Sequence, residues 1–200
     1  MWGRFCINTG MRVVGIDYSI RCPAVCIFET NEAEPVWYHE NCQIHFLTEK
    51  KKHCYRITPN VTGHYMPLYR EQDDTDRFSK ISDWALGLVK EGDILGIEDY
   101  AFSAQGMVYK IGENTGLLKY KLWSYGVPFE LISNSKPKKL ATGKGNADKQ
   151  GVWEAFVAET GWNIDHHIKQ RSRKITSPLS DIADSYWICK WLFEKKMLIR

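Results

Sequence analysis

The chain has 200 residues, of which 44% are hydrophobic and 26% charged, and its formal net charge is +3. This length fits one domain over residues 1–200, and the composition excludes a disordered chain. The mild charge does not by itself indicate nucleic acid. No apolar run is long enough for a membrane span, and the first ten residues lack the apolar stretch of a signal peptide. We therefore expect a cytoplasmic protein that does not associate with a membrane and keeps its cysteines reduced.

The first part of the chain predicts an antiparallel meander. A buried strand over residues 12–18 carries Asp17 near its end, a second strand covers residues 24–28, and a third starts at Val36. The short breaks between them favour hairpins. We interpret residues 43–72, which are polar and punctuated by proline and glycine, as an insertion with one more hairpin.

The second part predicts helices that alternate with strands. Residues 76–90 show the spacing of an amphipathic helix, and residues 94–98 form a strand ending at Glu98. A helix between two strands is typical of a parallel crossover. Further segments predict a helix over 105–125, a strand over 129–132, and helices over 147–160 and 178–194. The fold class is therefore α/β, a mixed sheet of an antiparallel three-strand meander plus parallel strands, flanked by helices.

Four carboxylates occupy positions that a buried element rarely gives to a charge. Asp17 and Glu98 end predicted strands, and Asp181 and Asp184 lie three residues apart in an apolar helix. Such charges are costly unless they are paired or bind metal. If strands one and four are neighbours and the helix packs over them, all four acids converge. Oxygen ligands of this kind suit two Mg²⁺ or Mn²⁺ ions, about 3.5–4 Å apart, that cleave phosphodiesters.

The alternative for each acid by itself is structural. A single buried aspartate is more often a helix cap, a turn residue or a salt-bridge partner than a ligand. A zinc site from Cys42, His45, His53 and Cys54 is disfavoured, because adjacent ligands such as the last two rarely complete a tetrahedron.

Two basic segments are candidates for binding phosphates. Residues 136–149 carry five lysines and one acid around a glycine-rich turn, and residues 166–174 form the second segment. The alternative for both is a solvated surface. The residues that we select as contacts are Lys138, Lys139, Lys144, Lys149, Arg171, Arg173 and Lys174.

Several motifs together resemble a known family. They are Val14-Gly-Ile-Asp17-Tyr-Ser, Gly96-Ile-Glu98, Asp181-Ile-Ala-Asp184-Ser, and a lysine segment from Lys138 to Lys149 with the pattern Lys-x₄-Gly-x-Gly-x-Ala-x-Lys. In order and spacing they resemble the RuvC-like Holliday junction resolvases of the ribonuclease-H-like superfamily. The resemblance covers most of residues 12–195 outside the insertion.

The resemblance implies a crossover junction endodeoxyribonuclease that resolves four-way DNA junctions. Its cofactor would be two Mg²⁺ (or Mn²⁺) ions per active site, held by Asp17, Glu98, Asp181 and Asp184, and its products would carry 5′-phosphates. Two symmetric cuts imply a homodimer. We expect its interface on the helix over 105–125.

The resemblance also implies an aromatic residue at the open centre of the junction. Phe102 follows Glu98 by four residues and is the candidate for stacking on unpaired bases. The alternative is that Phe102 belongs to the core.

The chain departs from the family pattern in three places. Tyr18 stands where the family has proline, ten residues precede the first strand, and residues 43–72 are inserted. These differences suggest a divergent member, from a bacterial or a virus-infected cell, and leave substrate selectivity open. The alternatives are a less selective flap or fork nuclease, and a non-catalytic DNA-binding module of the same fold. An exonuclease of this fold usually has Asp-x-Glu on its first strand, and a sugar-kinase-like ATPase has a glycine-rich loop after it. Neither feature is present.

Overall fold

A computed structural model describes residues 10–67, 73–99, 108–168 and 174–199. The strands within these ranges are β1 (Met11–Asp17), β2 (Ala24–Thr30), β3 (Cys42–Thr48), β4 (Arg56–Thr58), β5 (Val61–Tyr65), β6 (Ile94–Asp99) and β7 (Phe129–Ser133). The α-helices are α1 (Asp74–Leu86), α2 (Val108–Ser124), α3 (Ser135–Thr142), α4 (Lys149–Thr160) and α5 (Leu179–Leu198). None of these described helices is both long and apolar enough to cross a membrane.

The strands form one mixed sheet in the order β4-β5-β3-β2-β1-β6-β7. Strands β1, β2 and β3 pair antiparallel, which confirms the predicted meander. Strand β6 lies parallel to β1, and β7 lies parallel to β6. The β4–β5 hairpin extends the other edge, with β5 parallel to β3. The predicted fold class, a mixed sheet with helices around it, is confirmed.

The third strand begins later than predicted, at Cys42 rather than Val36. Trp37 lies before it and stacks on Phe28 with ring centroids 4.7 Å apart. Its indole nitrogen donates a hydrogen bond of 3.0 Å to the hydroxyl of Tyr186. Because this aromatic side chain is held by the core, its segment does not pair within the sheet. Strand β3 therefore occupies part of the predicted insertion, and the hairpin expected there is β4–β5.

Helix α3 is missing from the sequence prediction. It is only eight residues long and contains Pro137, which usually interrupts helices. Here Pro137 lies in the first turn, where its missing N–H has no helical partner to lose. This helix carries two of the selected lysines, Lys138 and Lys139.

The sheet has a core on each face, and helix α5 dominates one of them. A side chain at Gly15 on β1 would place its Cβ 2.6 Å from the carbonyl oxygen of Ser185, and one at Gly96 on β6 would come 2.5 Å from Leu192. These two glycines let α5 lie directly against the central strands. The close approach fixes where the first turns of α5 stand relative to the strand ends.

The cysteines contribute to the core. Cys26, Cys42 and Cys189 are buried thiols, and all five cysteines of the described ranges are free. Cys42 packs into the core on the α5 side of the sheet, whereas His45 interacts with His64 at a nitrogen–nitrogen distance of 3.0 Å. Since side chains alternate along a strand, Cys42 and His45 face opposite sides of β3.

Candidate active site

The first two carboxylates meet because β1 and β6 are parallel neighbours. Ile16 on β1 is paired with Ile97 on β6. The next residue in each strand is an acid, Asp17 and Glu98. Parallel strands end at the same edge of a sheet, so both carboxylates lie at the carboxyl edge of the central pair.

Helix α5 supplies the other two. Asp181 and Asp184 lie in its first two turns. They are three residues apart and therefore lie on neighbouring positions of one helix face. Ser185, the residue after Asp184, packs closely against Gly15, which lies two residues before Asp17 on β1. This contact brings the first turns of α5 close to Asp17. The structure thus brings all four acids to one place, while their role as ligands stays a prediction.

The electrostatics of the four acids show how close they are. Burial raises the pKa of Asp17 well above its usual value, and the charges of Glu98, Asp181 and Asp184 raise it further. Burial also raises the pKa of Asp184, to about 7, again with contributions from Glu98 and Asp181. Like charges have this effect only at short range. The cluster therefore concentrates more negative charge than its own surroundings neutralise.

Neighbouring polar groups hold individual carboxylates. The amide of Asn134 donates a hydrogen bond to Glu98. Ser180 donates to Asp181 Oδ1 at 3.1 Å, whereas Asp181 Oδ2 is buried without a hydrogen-bond partner among the described residues. Neither Asn134 nor Ser180 was among the site residues predicted from the sequence. The available signal for Asn134 was its place directly after β7, because β7 adjoins the strand of Glu98.

Two of the selected lysines lie beside the cluster. The positive charge of Lys138 lowers the pKa values of Glu98 and Asp184, opposing the effect of burial. Lys149 acts in the same way on Asp181 and Asp184, and its ammonium group lies 3.3 Å from Ser180 Oγ. These two cations therefore place positive groups at the rim of the carboxylate cluster.

The remaining basic candidates lie elsewhere or outside the described residues. Lys139 lines a groove with Trp191 and the second half of α5. Lys144 is exposed in the turn after α3, and Lys174 is exposed ahead of α5. Phe102, Arg171 and Arg173 lie outside the described residues.

The donor set fits a hard divalent cation. All four side chains offer carboxylate oxygens, the ligands that Mg²⁺ and Mn²⁺ prefer. The unpartnered, buried Asp181 Oδ2 is an oxygen that a cation would satisfy. No three acidic, histidine or cysteine side chains in the described ranges are already arranged as a metal cage. Glu98 and Asp181 instead hold their hydrogen bonds to Asn134 and Ser180.

Comparison with known proteins identifies the fold. Protein-family models and curated proteins gave no match. Among solved structures, this chain is similar to Thermus thermophilus RuvC, with a TM-score of 0.57, 16% identity, and 93% of this chain and 97% of the other covered. It is also similar to T. thermophilus RuvC in complex with a Holliday junction substrate, with a TM-score of 0.59, 14% identity, and 93% and 96% coverage. The chain therefore has a RuvC-like fold of the ribonuclease-H-like type.

Proposed function

We propose that this protein is a metal-dependent endodeoxyribonuclease that resolves four-way DNA junctions by paired phosphodiester hydrolysis. The observation that carries the proposal is the convergence of Asp17, Glu98, Asp181 and Asp184 at one sheet edge. The fold likeness to RuvC supports it, because the motifs that resemble the resolvases fall on the elements that form this edge.

The four carboxylates are the groups that would hold two Mg²⁺ or Mn²⁺ ions. Bound there, the ions would supply Lewis acidity at the phosphate and a more acidic water. Asn134 orients Glu98 through its hydrogen bond, and Ser180 does the same for Asp181. Such outer hydrogen bonds fix ligand orientation before the substrate arrives.

Lysines at the rim would position the DNA. Lys138 and Lys149 flank the acids and would contact phosphates next to the cleaved bond. Lys139, Lys144, Arg171, Arg173 and Lys174 would contact the backbone further away, and Phe102 would stack on bases at the junction centre. These contacts order the substrate without carrying sequence information.

A second copy of the chain would supply the second cut. On α2, Gly112 and Gly116 have open space around them, and Tyr109, Tyr120 and Trp123 are exposed. Small residues beside exposed aromatics favour close helix packing between two copies related by a two-fold axis. Trp123→Glu should convert a dimer to a monomer, as measured by light scattering after gel filtration.

The decisive experiment uses a synthetic four-way junction with labelled arms. In Mg²⁺ we expect symmetric cuts with 5′-phosphate ends, and in EDTA none. Asp184→Asn should abolish cleavage and retain junction binding in a gel-shift assay. The matched control is Asp83→Asn, which changes an exposed acid on α1 and should leave cleavage unchanged.

The same assay separates the alternatives. Equal cutting of flap, fork and four-way substrates would indicate a less selective branched-DNA nuclease. Junction binding with no cleavage in either Mg²⁺ or Mn²⁺ would indicate a non-catalytic DNA-binding module. Full activity of Asp184→Asn would contradict the assignment of the site.

A further inference from the structure

A cavity lies beside the carboxylate cluster. It has a volume of about 530 Å³ and is formed by the turn after β1, the segment after β3 and the residues before α5. Its basic residues are Arg21, Lys50 and Lys149. A cavity of this size lies in the range of sites that hold whole small molecules, about 300–1,000 Å³, and exceeds what a lone phosphate fills.

The cavity shares residues with the carboxylate site. Lys149 lines it and also lowers the pKa of Asp181 and Asp184. Ser177 lines it and is hydrogen bonded to Asp181. Cys22 also lines it, and burial and then the charge of Asp181 raise the pKa of its thiol, whereas Lys50 lowers it. A ligand in the cavity would therefore lie next to whatever the four acids act on.

One wall contains a buried imidazole with incomplete hydrogen bonding. His53 is 1% exposed and lines the cavity, and neither of its ring nitrogens has a hydrogen-bond partner among the described residues. Its backbone packs closely against β5, because a side chain at Gly63 would collide with the carbonyl oxygen of His53. An unsatisfied buried polar group is unfavourable, so a polar ligand that bonds to this imidazole would be stabilised.

The lining has the mixed chemistry of a nucleotide site. Three cations suit a phosphate, while Pro178, Cys22 and the imidazole offer surface for the face of a base. The hydroxyl of Ser177 can bond to a base edge, and the carboxylate of Glu49 can accept from an exocyclic amino group. Glu49 also repels an anion, which favours a ligand that combines base and phosphate over a phosphate alone.

We propose that this cavity binds one unstacked nucleotide of the DNA strand next to the cleaved bond. The phosphate lies among Arg21, Lys50 and Lys149, and the base lies against Pro178 and Cys22. The connection to cleavage rests on the proposed nuclease function, whereas nucleotide binding itself does not. Lys50 and His53 come from the segment of the chain that departs from the resolvase pattern, so the cavity would give this protein a selectivity of its own.

The first test measures binding without junction or divalent metal. Thymidine 5′-monophosphate and deoxyadenosine 5′-monophosphate are titrated in EDTA by isothermal titration calorimetry, beside thymidine and inorganic phosphate. The nucleotides should bind more tightly than either fragment. Lys50→Glu should weaken nucleotide binding at least about fivefold by reversing one phosphate contact. The matched control Lys52→Glu makes the same charge change at an exposed position outside the cavity lining and should have little effect.

The second test uses DNA. Four-way junctions carry 2-aminopurine in turn at each nucleotide around the exchange point, again in EDTA. At one position the fluorescence of 2-aminopurine should increase when the wild type or Lys52→Glu binds. This increase should be lost with Lys50→Glu.

Each outcome bears on the cavity separately from the nuclease. Phosphate binding as tight as nucleotide binding, or equal loss in both lysine variants, overturns the nucleotide site even if the junction is cleaved. Nucleotide binding that depends on Lys50 supports the site even if no substrate is cut. Junction binding without any brightening that depends on Lys50 removes its role in DNA recognition.

Discussion

Buried carboxylates lie at both ends of the paired strands β1 and β6, and the two ends differ in how far neighbouring positive groups compensate the negative charge. Just before β6, Asp93 is paired with Arg12, which also donates to the carbonyl oxygen of Leu88 at 2.8 Å. The amide of Lys90 donates to the same aspartate at 2.8 Å. At the other end, burial and the charges of neighbouring acids raise the pKa values of Asp17 and Asp184, and the charges of Lys138 and Lys149 oppose this only in part at Asp184. A compensated buried charge destabilises a fold when its partner is removed, whereas an uncompensated cluster is suited to binding cations.

Neutralising one acid at each end should produce the largest difference between the two ends. Glu98→Gln should lower the cleavage rate about 1,000-fold, because charge stabilisation of several kcal/mol is lost and each 1.36 kcal/mol is tenfold. Single-turnover kinetics on the junction in Mg²⁺ would measure it.

The matched variant at the opposite end is Asp93→Asn. It leaves the guanidinium of Arg12 with only the exposed Glu29, at 3.6 Å, as a charge partner, so it should destabilise the protein by about 3 kcal/mol. The rate per folded molecule should stay near the wild-type value. Urea unfolding monitored by tryptophan fluorescence gives the stability. If both variants lost activity and stability alike, the two ends would not differ in role.

Asn134 tests whether the proposed site extends beyond the four acids. Asn134→Ala removes the hydrogen bond to Glu98 and should lower the rate about 10–100-fold, the usual effect of losing an outer partner of a ligand. Junction affinity in EDTA should change little, as measured by fluorescence anisotropy. A variant with a normal rate would show that Glu98 is oriented by other contacts.

Adjacent lysines on α3 offer a finer comparison. Lys138→Ala should lower the single-turnover rate about tenfold, because the charge of Lys138 acts directly on Glu98 and Asp184. Lys139→Ala should weaken binding with an unchanged rate at saturation, because Lys139 lines the groove with Trp191 instead. The same loss of rate in both variants would contradict the separation of their roles.

The smallest expected effect concerns stability and pH. The pKa of Asp184 is about 7 in the folded protein against an ordinary 3.8, so the folded state binds the extra proton. A raised acid pKa means that stability falls as pH increases from about 4 through 7. In EDTA, Asp184→Asn should therefore melt about 2–4 °C above the wild type at pH 8, a shift worth roughly 1 kcal/mol in a chain of this size.

The difference should shrink at pH 5, where the wild-type carboxyl is protonated, and Mg²⁺ should stabilise the wild type more than the variant. Differential scanning fluorimetry at both pH values measures this. A difference that does not depend on pH would mean that Asp184 does not carry the extra proton.

Local pattern determined much of this protein. The strand periodicity around Asp17 and Glu98, and the helical spacing of Asp181 and Asp184, are properties of short segments, so the sequence predicted the central elements and the four acids. Three features of the structure depended instead on packing between distant segments. The core contacts of Trp37 delayed the third strand to Cys42, and helix α3 formed around Pro137 in its first turn.

The third feature is the set of residues that surround the four carboxylates. Successive residues of a helix point about 100° apart. Lys138 and Lys139 therefore point in different directions because they lie in α3. The bond from Asn134 to Glu98 and the cavity between Lys50 and Lys149 join residues that no local pattern connects. Spacing in the sequence fixes which side chains share a face of one element, whereas packing of whole elements decides which faces meet.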